Sequence, residues 1–321
     1  MPSIGLVASQ NGLGHARRLA HFSEAFKELG YKSSLFLSSR QLKALSKELR
    51  GLCPETKVFE IEGYGLDGPS QMNSKTRKIP QSLQRQFRDF DFVISDNVTW
   101  PGSFLDTFLL MGHFTWIDYW KSRHPNQKKE FSTDISHARK ISNWYSPVDF
   151  SQMPTCLDGI ERIEIPLSRY VTDPNTSRNS DITSISFSNG TTGLNLSDEN
   201  ELRLELQNMN LVLTTKESHG FEKNRAPALT LGRPGLGTIR DCLAFGIPFL
   251  PCWLGDDPEL LNNEATLKRI GLVPSVWKGN QKPDVEIIRE FLNDGEIQDR
   301  IRGYWMQNSA PIIEILPMMG F

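Results

Sequence analysis

No apolar run among the 321 residues is long enough to span a bilayer, so no membrane-crossing helix is expected. The opening residues, M-P-S-I-G-L-V-A-S-Q, lack the basic start and apolar core of a signal peptide. A cytoplasmic location is expected on both counts, with at most peripheral contact at the inner face of the membrane. Cysteine is scarce. Cys53, Cys156, Cys242 and Cys252 form no C-x-x-C pair and have no zinc-site spacing; they read as buried free thiols in a reducing compartment. Excess charge of either sign is also lacking: 36 Lys and Arg face 38 Asp and Glu, a formal net charge of −2. General nucleic-acid binding leaves a strongly basic footprint and is therefore not expected. There is no repeat of solenoid period and no low-complexity tract.

What is present is an alternation of strand-like and helix-like segments. Ser3 to Ala8 is a short apolar run suited to a buried parallel strand. A glycine-bearing turn follows, Ser9 to Gly14. Leu19, Phe22, Phe26 and Leu29 then recur at helical steps, and Gly30 marks the stop. Ser33 to Leu37 completes a βαβ unit. A helix over Arg40 to Arg50, a strand over Lys57 to Ile61 and a polar loop from Gly63 to Lys78 are expected next. Asp91 to Ser95 reads as a central strand ending at Asp96. Phe104 to Met111 reads as a helix, and His113 to Ile117 as a strand ending at Asp118.

The stretch Ser168 to Asp181 is rich in Ser, Asn, Thr, Asp and Pro and reads as an interdomain linker. The pattern then restarts. Strands are expected over Ile182 to Phe187, Leu211 to Thr215 and Ile247 to Pro251. Helices are expected over Ser197 to Gln207, Thr238 to Phe245 and Glu259 to Ile270. Such alternation builds a mainly parallel, doubly wound α/β sheet. The length allows two domains, expected at 1–167 and 182–299 about the linker 168–181. The tail 300–321, with its apolar I-I-E-I-L-P-M-M, is expected to pack back on the first domain.

Four constellations carry chemistry. The first is N-G-L-G-H-A-R-R, from Asn11 to Arg18. A strand, glycines and a helix start suit an anion or a close backbone approach. His15 falls in the first helical turn, at the sheet edge where open α/β sheets bind ligands. It is either a functional imidazole or a polar cap on a tight turn. The second is Asp96, which either orients a histidine or caps the next segment. The third is L-T-L-G-R-P-G-L-G-T-I-R-D, from Leu229 to Asp241. Amides at the head of its helix suit a pyrophosphate, and Arg233 could add a charge-assisted contact. The fourth, G-D-D-P-E-L-L-N-N from Gly255 to Asn263, offers the carboxylates and amides that recognise sugar hydroxyls. No D-x-D element sits where a metal would be needed.

Together, G-L-G-H at the front and G-R-P-G-L-G-T-I-R-D-C-L-A-F-G-I-P-F-L-P-C at the back resemble the GT-B glycosyltransferases of family 28. That group includes the N-acetylglucosamine transferase of peptidoglycan synthesis. Gly246, Ile247 and Pro248 match its G-x-P, and Asp257 and Asn263 lie near its acidic and Asn positions. Asn-Glu replaces the usual Asn-Ala. S-Q-N-G-L-G-H-A-R-R is also similar to the nucleotide-sugar hydrolase of pseudaminic acid biosynthesis, and F-V-I-S-D to the acidic strand end of both relatives.

The resemblance implies two Rossmann-like domains facing each other across a cleft. It leaves room for fewer βα units than usual between S-N-G-T-T-G and G-R-P-G, so the C-terminal domain is expected to be trimmed. It implies His15 as a base and Asp96 as its orienting carboxylate. Substrate contacts are expected at Asn11, Gly12, Gly14 and Arg18, and at Ser188, Asn189, Gly190, Thr191, Arg233, Gly235, Gly237, Thr238, Asp257, Glu259 and Asn263. The activity expected is inverting transfer of a sugar from a nucleotide diphosphate sugar, such as a UDP-sugar, to an acceptor hydroxyl. The acceptor would be a small molecule, a glycan or a lipid-linked group of cell-envelope polysaccharide synthesis. Neither metal nor cofactor is expected. Two alternatives stand beside it. One is a hydrolase of the same fold, with water as acceptor. The other is a non-catalytic sugar-nucleotide binder, which the trimmed domain favours and the His15 and Asp96 pair disfavours.

Overall fold

The computed structural model describes the chain except for residues 62–63, 65–78, 124–130, 151–154, 156, 158, 171–179, 189–195 and 216–225. The expected loop from Gly63 to Lys78 thus lies outside the described residues, Tyr64 apart. The first βαβ unit comprises β1 (Ser3–Ala8), α1 (Gly14–Glu28) and β2 (Lys32–Leu37). After it come α2 (Ser39–Leu52), β3 (Lys57–Glu60), α3 (Gln81–Arg88) and β4 (Phe92–Asp96). A 3-10 turn at Trp100–Ser103 leads to β5 (Phe108–Met111), α4 (Trp116–Arg123), α5 (Ser132–Ala138), β6 (Ile141–Pro147), β7 (Arg162–Ile165) and β8 (Leu167–Arg169).

The remaining elements begin with β9 (Ser180–Ser188), α6 (Leu196–Asn208), β10 (Val212–Thr215), β11 (Ala226–Gly232), α7 (Leu236–Ala244) and β12 (Phe249–Pro251). Then follow α8 (Pro258–Arg269), α9 (Val285–Asn293), α10 (Ile297–Asn308), β13 (Ser309–Pro311) and α11 (Ile312–Met318). Two compact units result: Met1–Tyr170 with Ala310–Phe321, and Val171–Ser309.

The first unit is built on a seven-stranded sheet of order β3-β2-β1-β4-β5-β6-β7. Every pairing in it is parallel. The period-two alternation of strand side chains divides its apolar residues between two faces. Leu35 and Leu37 enter one core with α1, α2 and α11, while Phe36 enters the other with Phe87, Trp100 and Trp116. Both faces are covered, as a parallel sheet requires. The aromatic run from Phe108 to Trp120 lies largely in the second of these cores. The chain re-enters this unit at Ala310: β13 pairs with β8, and α11 packs on α1 through Ile312, Ile315 and Leu316. Within the second unit α10 packs on α7, and the described sheet is four parallel strands in the order β10-β9-β11-β12. The described Cys53, Cys242 and Cys252 are buried free thiols, and burial pushes Cys252 up to about 12.

One stretch reads differently in three dimensions. Phe104 to Met111 is not a helix; its last four residues are the strand β5. His113 to Ile117 is not a strand; Trp116 already opens α4. A short apolar run cannot tell strand from buried helix by periodicity. The local chemistry decides: Gly112, at φ 131°, breaks the strand. Thr115 and Asp118 then cap one another. The Thr115 hydroxyl donates to Asp118 Oδ2 at 2.8 Å, and the Asp118 amide donates to Thr115 Oγ1 at 3.2 Å. That reciprocal pairing starts a helix, as a Ser or Thr followed three residues later by Glu or Gln does in a capping box.

Candidate functional site

In an open parallel sheet, loops diverge where the strand order reverses, and the crevice there takes ligands. In the first unit this point lies between β1 and β4, whose register sets Ala8 against Asp96. The loop leaving β1 and the end of β4 are therefore neighbours. Gly12, at φ 87°, turns the loop. Gln41 fastens it: its Nε2 donates to Ser9 O at 2.7 Å and Gly12 O at 2.8 Å. Gln41 is itself fixed by a capping box with Ser38 at the head of α2. Trp116 Nε1 donates to Ser9 Oγ at 2.9 Å, and the Asn11 amide donates to the same oxygen at 3.3 Å. Gln41 and Trp116 were not singled out from sequence. The S-S-R-Q capping signal, Ser38 to Gln41, is visible there, but its second duty to the loop is not. Gly14 opens α1, and no side chain caps that end.

His15 and Asp96 meet. His15 Nδ1 lies 3.0 Å from Asp96 Oδ1, with Asp96 wholly buried and the His15 side chain 16% exposed. With its proton on Nδ1, the imidazole donates to the carboxylate and keeps a lone pair on Nε2. Arg18 occupies the rest of Asp96. Its Nε donates to Oδ2 at 3.0 Å and its Nη2 to Oδ1 at 2.5 Å. Arg17 turns away to Glu48 of α2, at 2.7 Å. Burial by itself would push the Asp96 carboxyl up; the charges of Arg18 and His15 and their hydrogen bonds outweigh it and hold the group below its ordinary value.

Asn97 follows in the left-handed region at φ 63°, fully buried, and among the described residues neither side-chain amide atom has a hydrogen-bond partner. It lies against Gly112, where an added Cβ would sit 1.6 Å from Asn97 Oδ1. The D-N pair after a strand is the signal that could have flagged it, because Asn tolerates this conformation.

The second unit has a corresponding switch point between β9 and β11, where Ser188 is set against Gly232. The expected contacts Asn189, Gly190 and Thr191 lie outside the described residues, and Ser188 is described in its backbone alone. The helix after β11 starts at Leu236, two residues before the expected Thr238, so Gly237 and Thr238 lie in its first turn. Gly235 is its N-cap, with no side-chain cap and no acid in the first turn. Among the described residues no side chain caps these amides, an arrangement that suits an anion.

Asn263 is buried and serves this loop directly: its Nδ2 donates to Pro234 O at 2.8 Å, while its Oδ1 has no partner among the described residues. Arg233 Nη2 reaches Asp257 Oδ2 at 3.4 Å and Glu259 Oε2 at 4.0 Å. Asp257 caps α8, accepting from the amides of Glu259 at 3.0 Å and Leu260 at 3.3 Å. Burial, with the charge of Glu259, pushes its carboxyl up against the opposing pull of Arg233. Arg233, two residues before the N-cap of α7, thus has two carboxylates beside it.

Among the described residues, no group of three or more His, Cys, Asp or Glu side chains is placed to hold a metal. No described helix is long and apolar enough to cross a membrane.

No family model matches this chain. No curated protein matches it in sequence. Solved structures do match over its length. It is similar to LpCGTa, solved in complex with UDP, at TM-score 0.65 and 13% identity, over 100% of this chain and 98% of that one. It is similar to the glycosyltransferase SnogD from Streptomyces nogalater at TM-score 0.58 and 12% identity, over 100% and 99%. The glycosyltransferase SsfS6 of Streptomyces sp. SF2575, complexed with thymidine diphosphate, aligns at TM-score 0.58 and 11% identity, over 100% of both chains. At these identities the likeness is one of fold: along its whole length, the chain has the α/β fold of the GT-B glycosyltransferases.

Proposed function

We propose that this protein is an inverting, metal-independent glycosyltransferase that moves a sugar from a nucleoside diphosphate sugar to an acceptor hydroxyl. The observation that carries the reading is the His15–Asp96 contact at 3.0 Å, formed at the switch point of the first sheet. A carboxylate on Nδ1 orients the imidazole and leaves Nε2 to take the acceptor proton as the hydroxyl attacks the anomeric carbon. Attack from the face opposite the leaving diphosphate inverts that carbon. The second unit holds the donor: the uncapped amides at Leu236, Gly237 and Thr238 suit a diphosphate, and Asp257 and Glu259 suit sugar hydroxyls. The helix dipole of α7 then stabilises the departing diphosphate without a metal. UDP and thymidine diphosphate in structures of the same fold support a pyrimidine nucleoside diphosphate as the carrier. The front and back motifs that resemble those of family 28 support an acceptor within cell-envelope glycan synthesis.

A panel of UDP- and dTDP-sugars, assayed for nucleotide release with and without sugar, glycan and polyprenyl-phosphate-linked acceptors, tests this. Release that requires an acceptor and yields the inverted glycoside is expected. Release into water at the same rate without acceptor makes the protein a hydrolase. Binding of nucleotide without any turnover makes it a sugar-nucleotide binder.

A further inference from the structure

A buried carboxylate that must orient a histidine poses an electrostatic problem. If the histidine is the sole cation within reach, the carboxylate draws a proton onto it, and an imidazolium cannot accept another. The structure supplies a second cation. Arg18 stands one helical turn after His15 on α1 and engages both oxygens of Asp96 through its Nε and Nη2. Its Nη2 also lies 3.4 Å from His15 Nδ1. The side chain of Arg18 is itself mostly buried, and Asp96 is entirely so, which strengthens the pair relative to one in water.

We propose that Arg18 is the positioning residue of this pair: it neutralises Asp96, so that the carboxylate orients His15 without holding it protonated, and its guanidinium is committed to that duty rather than to substrate phosphate. This rests on the reading of His15 as the base.

The other charged groups around the pair do not take over this role. On α2, Glu48 is engaged by Arg17. On β2, Lys32 is in register with Ser3, at the opposite end of the sheet from Asp96. Glu314 of α11 is exposed. After β5, His113 is a buried imidazole in the turn that leads to α4, and no hydrogen bond among the described residues joins it to Asp96.

Heteronuclear NMR titration of the His15 imidazole in the full chain tests the proposal, with the resonance assigned by its loss in His15→Ala. In Arg18→Gln the titration midpoint should rise by about one pH unit, and in Asp96→Asn it should fall by about as much. In the double variant Arg18→Gln/Asp96→Asn it should return to within about half a pH unit of wild type. Arg18→Lys should keep most of the wild-type midpoint, since the charge remains. An unmoved midpoint in Arg18→Gln overturns the proposal. Should that variant fail to fold, the comparison of Asp96→Asn with the double variant decides: equal midpoints overturn it, and a higher one in the double supports it. Turnover of His15→Ala separates this question from the parent reading. Full activity there removes His15 as base whatever the titrations show, while an inactive His15→Ala with an unmoved midpoint removes only the role of Arg18.

Discussion

At the scale of single residues, the first unit concentrates its costs around Asp96. A wholly buried carboxylate is tolerated because two side chains of one helix turn meet it. His15→Ala should lower turnover by roughly 10²–10⁴ with little change in nucleotide affinity, because the expected nucleotide contacts lie on the other unit. A histidine that merely caps α1 would behave otherwise: stability would drop by about 1 kcal/mol and turnover would hold. Melting temperature and turnover measured on the one variant tell these apart. Gly112 makes a second, purely steric test. It has φ 131°, and a Cβ there would overlap Asn97 Oδ1 at 1.6 Å. Gly112→Ala should therefore cost about 2–4 kcal/mol by denaturant unfolding, from backbone strain and displacement of Asn97. An unchanged midpoint would show that Asn97 can leave its seat freely.

At the scale of elements, the ends of helices carry the site. The head of α1 has no side-chain cap, and neither has that of α7. By contrast α2 has a full capping box, and Asp257 caps α8. Asp257 has two duties that conflict. As a cap it accepts two amides; as a buried acid beside Glu259 its carboxyl is held above the ordinary value. A carboxyl raised in the folded state binds its proton more tightly there than in the unfolded chain. Its ionisation thus costs stability as pH climbs from about 3.9 through the folded value, and that cost persists at neutrality. Asn caps as well as Asp does. Asp257→Asn should accordingly melt no lower than wild type at neutral pH, with any gain vanishing below about pH 3.9. Binding of the nucleotide sugar should weaken roughly tenfold by calorimetry, for loss of one charged hydrogen bond. A melting temperature that falls at neutral pH would show that the pair with Arg233 outweighs the burial of the charge.

At the scale of the whole molecule, the chain leaves its first unit at Tyr170 and returns at Ala310. The return is structural: Ile312, Ile315, Leu316 and Met319 belong to the same core as α1 and β1. Ile315→Ala should cost about 2–5 kcal/mol of stability for a fully buried side chain. Hydrogen exchange should register that loss over β1, β2 and α1, not over α7 and α8. Loss of protection confined to α7 and α8 would contradict this assignment of the tail.

Much of this was legible in the sequence, for a local reason. The steps of Leu19, Phe22 and Phe26 write α1, the apolar run before Gly12 writes β1, and the strand ending at Asp96 writes β4. Period, caps and glycines act over a few residues, so the sequence alone determined these elements and placed His15 in the first turn of α1 and Asp96 at a strand end. Tertiary structure decided what crosses larger separations. The parallel pairing of β1 with β4 brings Ala8 beside Asp96. The pitch of α1 aims Arg18 at Asp96 and Arg17 at Glu48, though the two arginines are adjacent and chemically alike. Gln41, a cap by its local pattern, becomes the clamp of a loop some thirty residues away because α2 packs beside it. The run from Phe104 to Trp120 shows the limit most plainly. Its apolar residues fit either a strand or a helix, and it became β5 and then α4 because the sheet needed a buried strand beside β4 and Thr115 could cap Asp118. Burial depends on what the rest of the chain brings alongside, and no window of neighbouring residues contains that information.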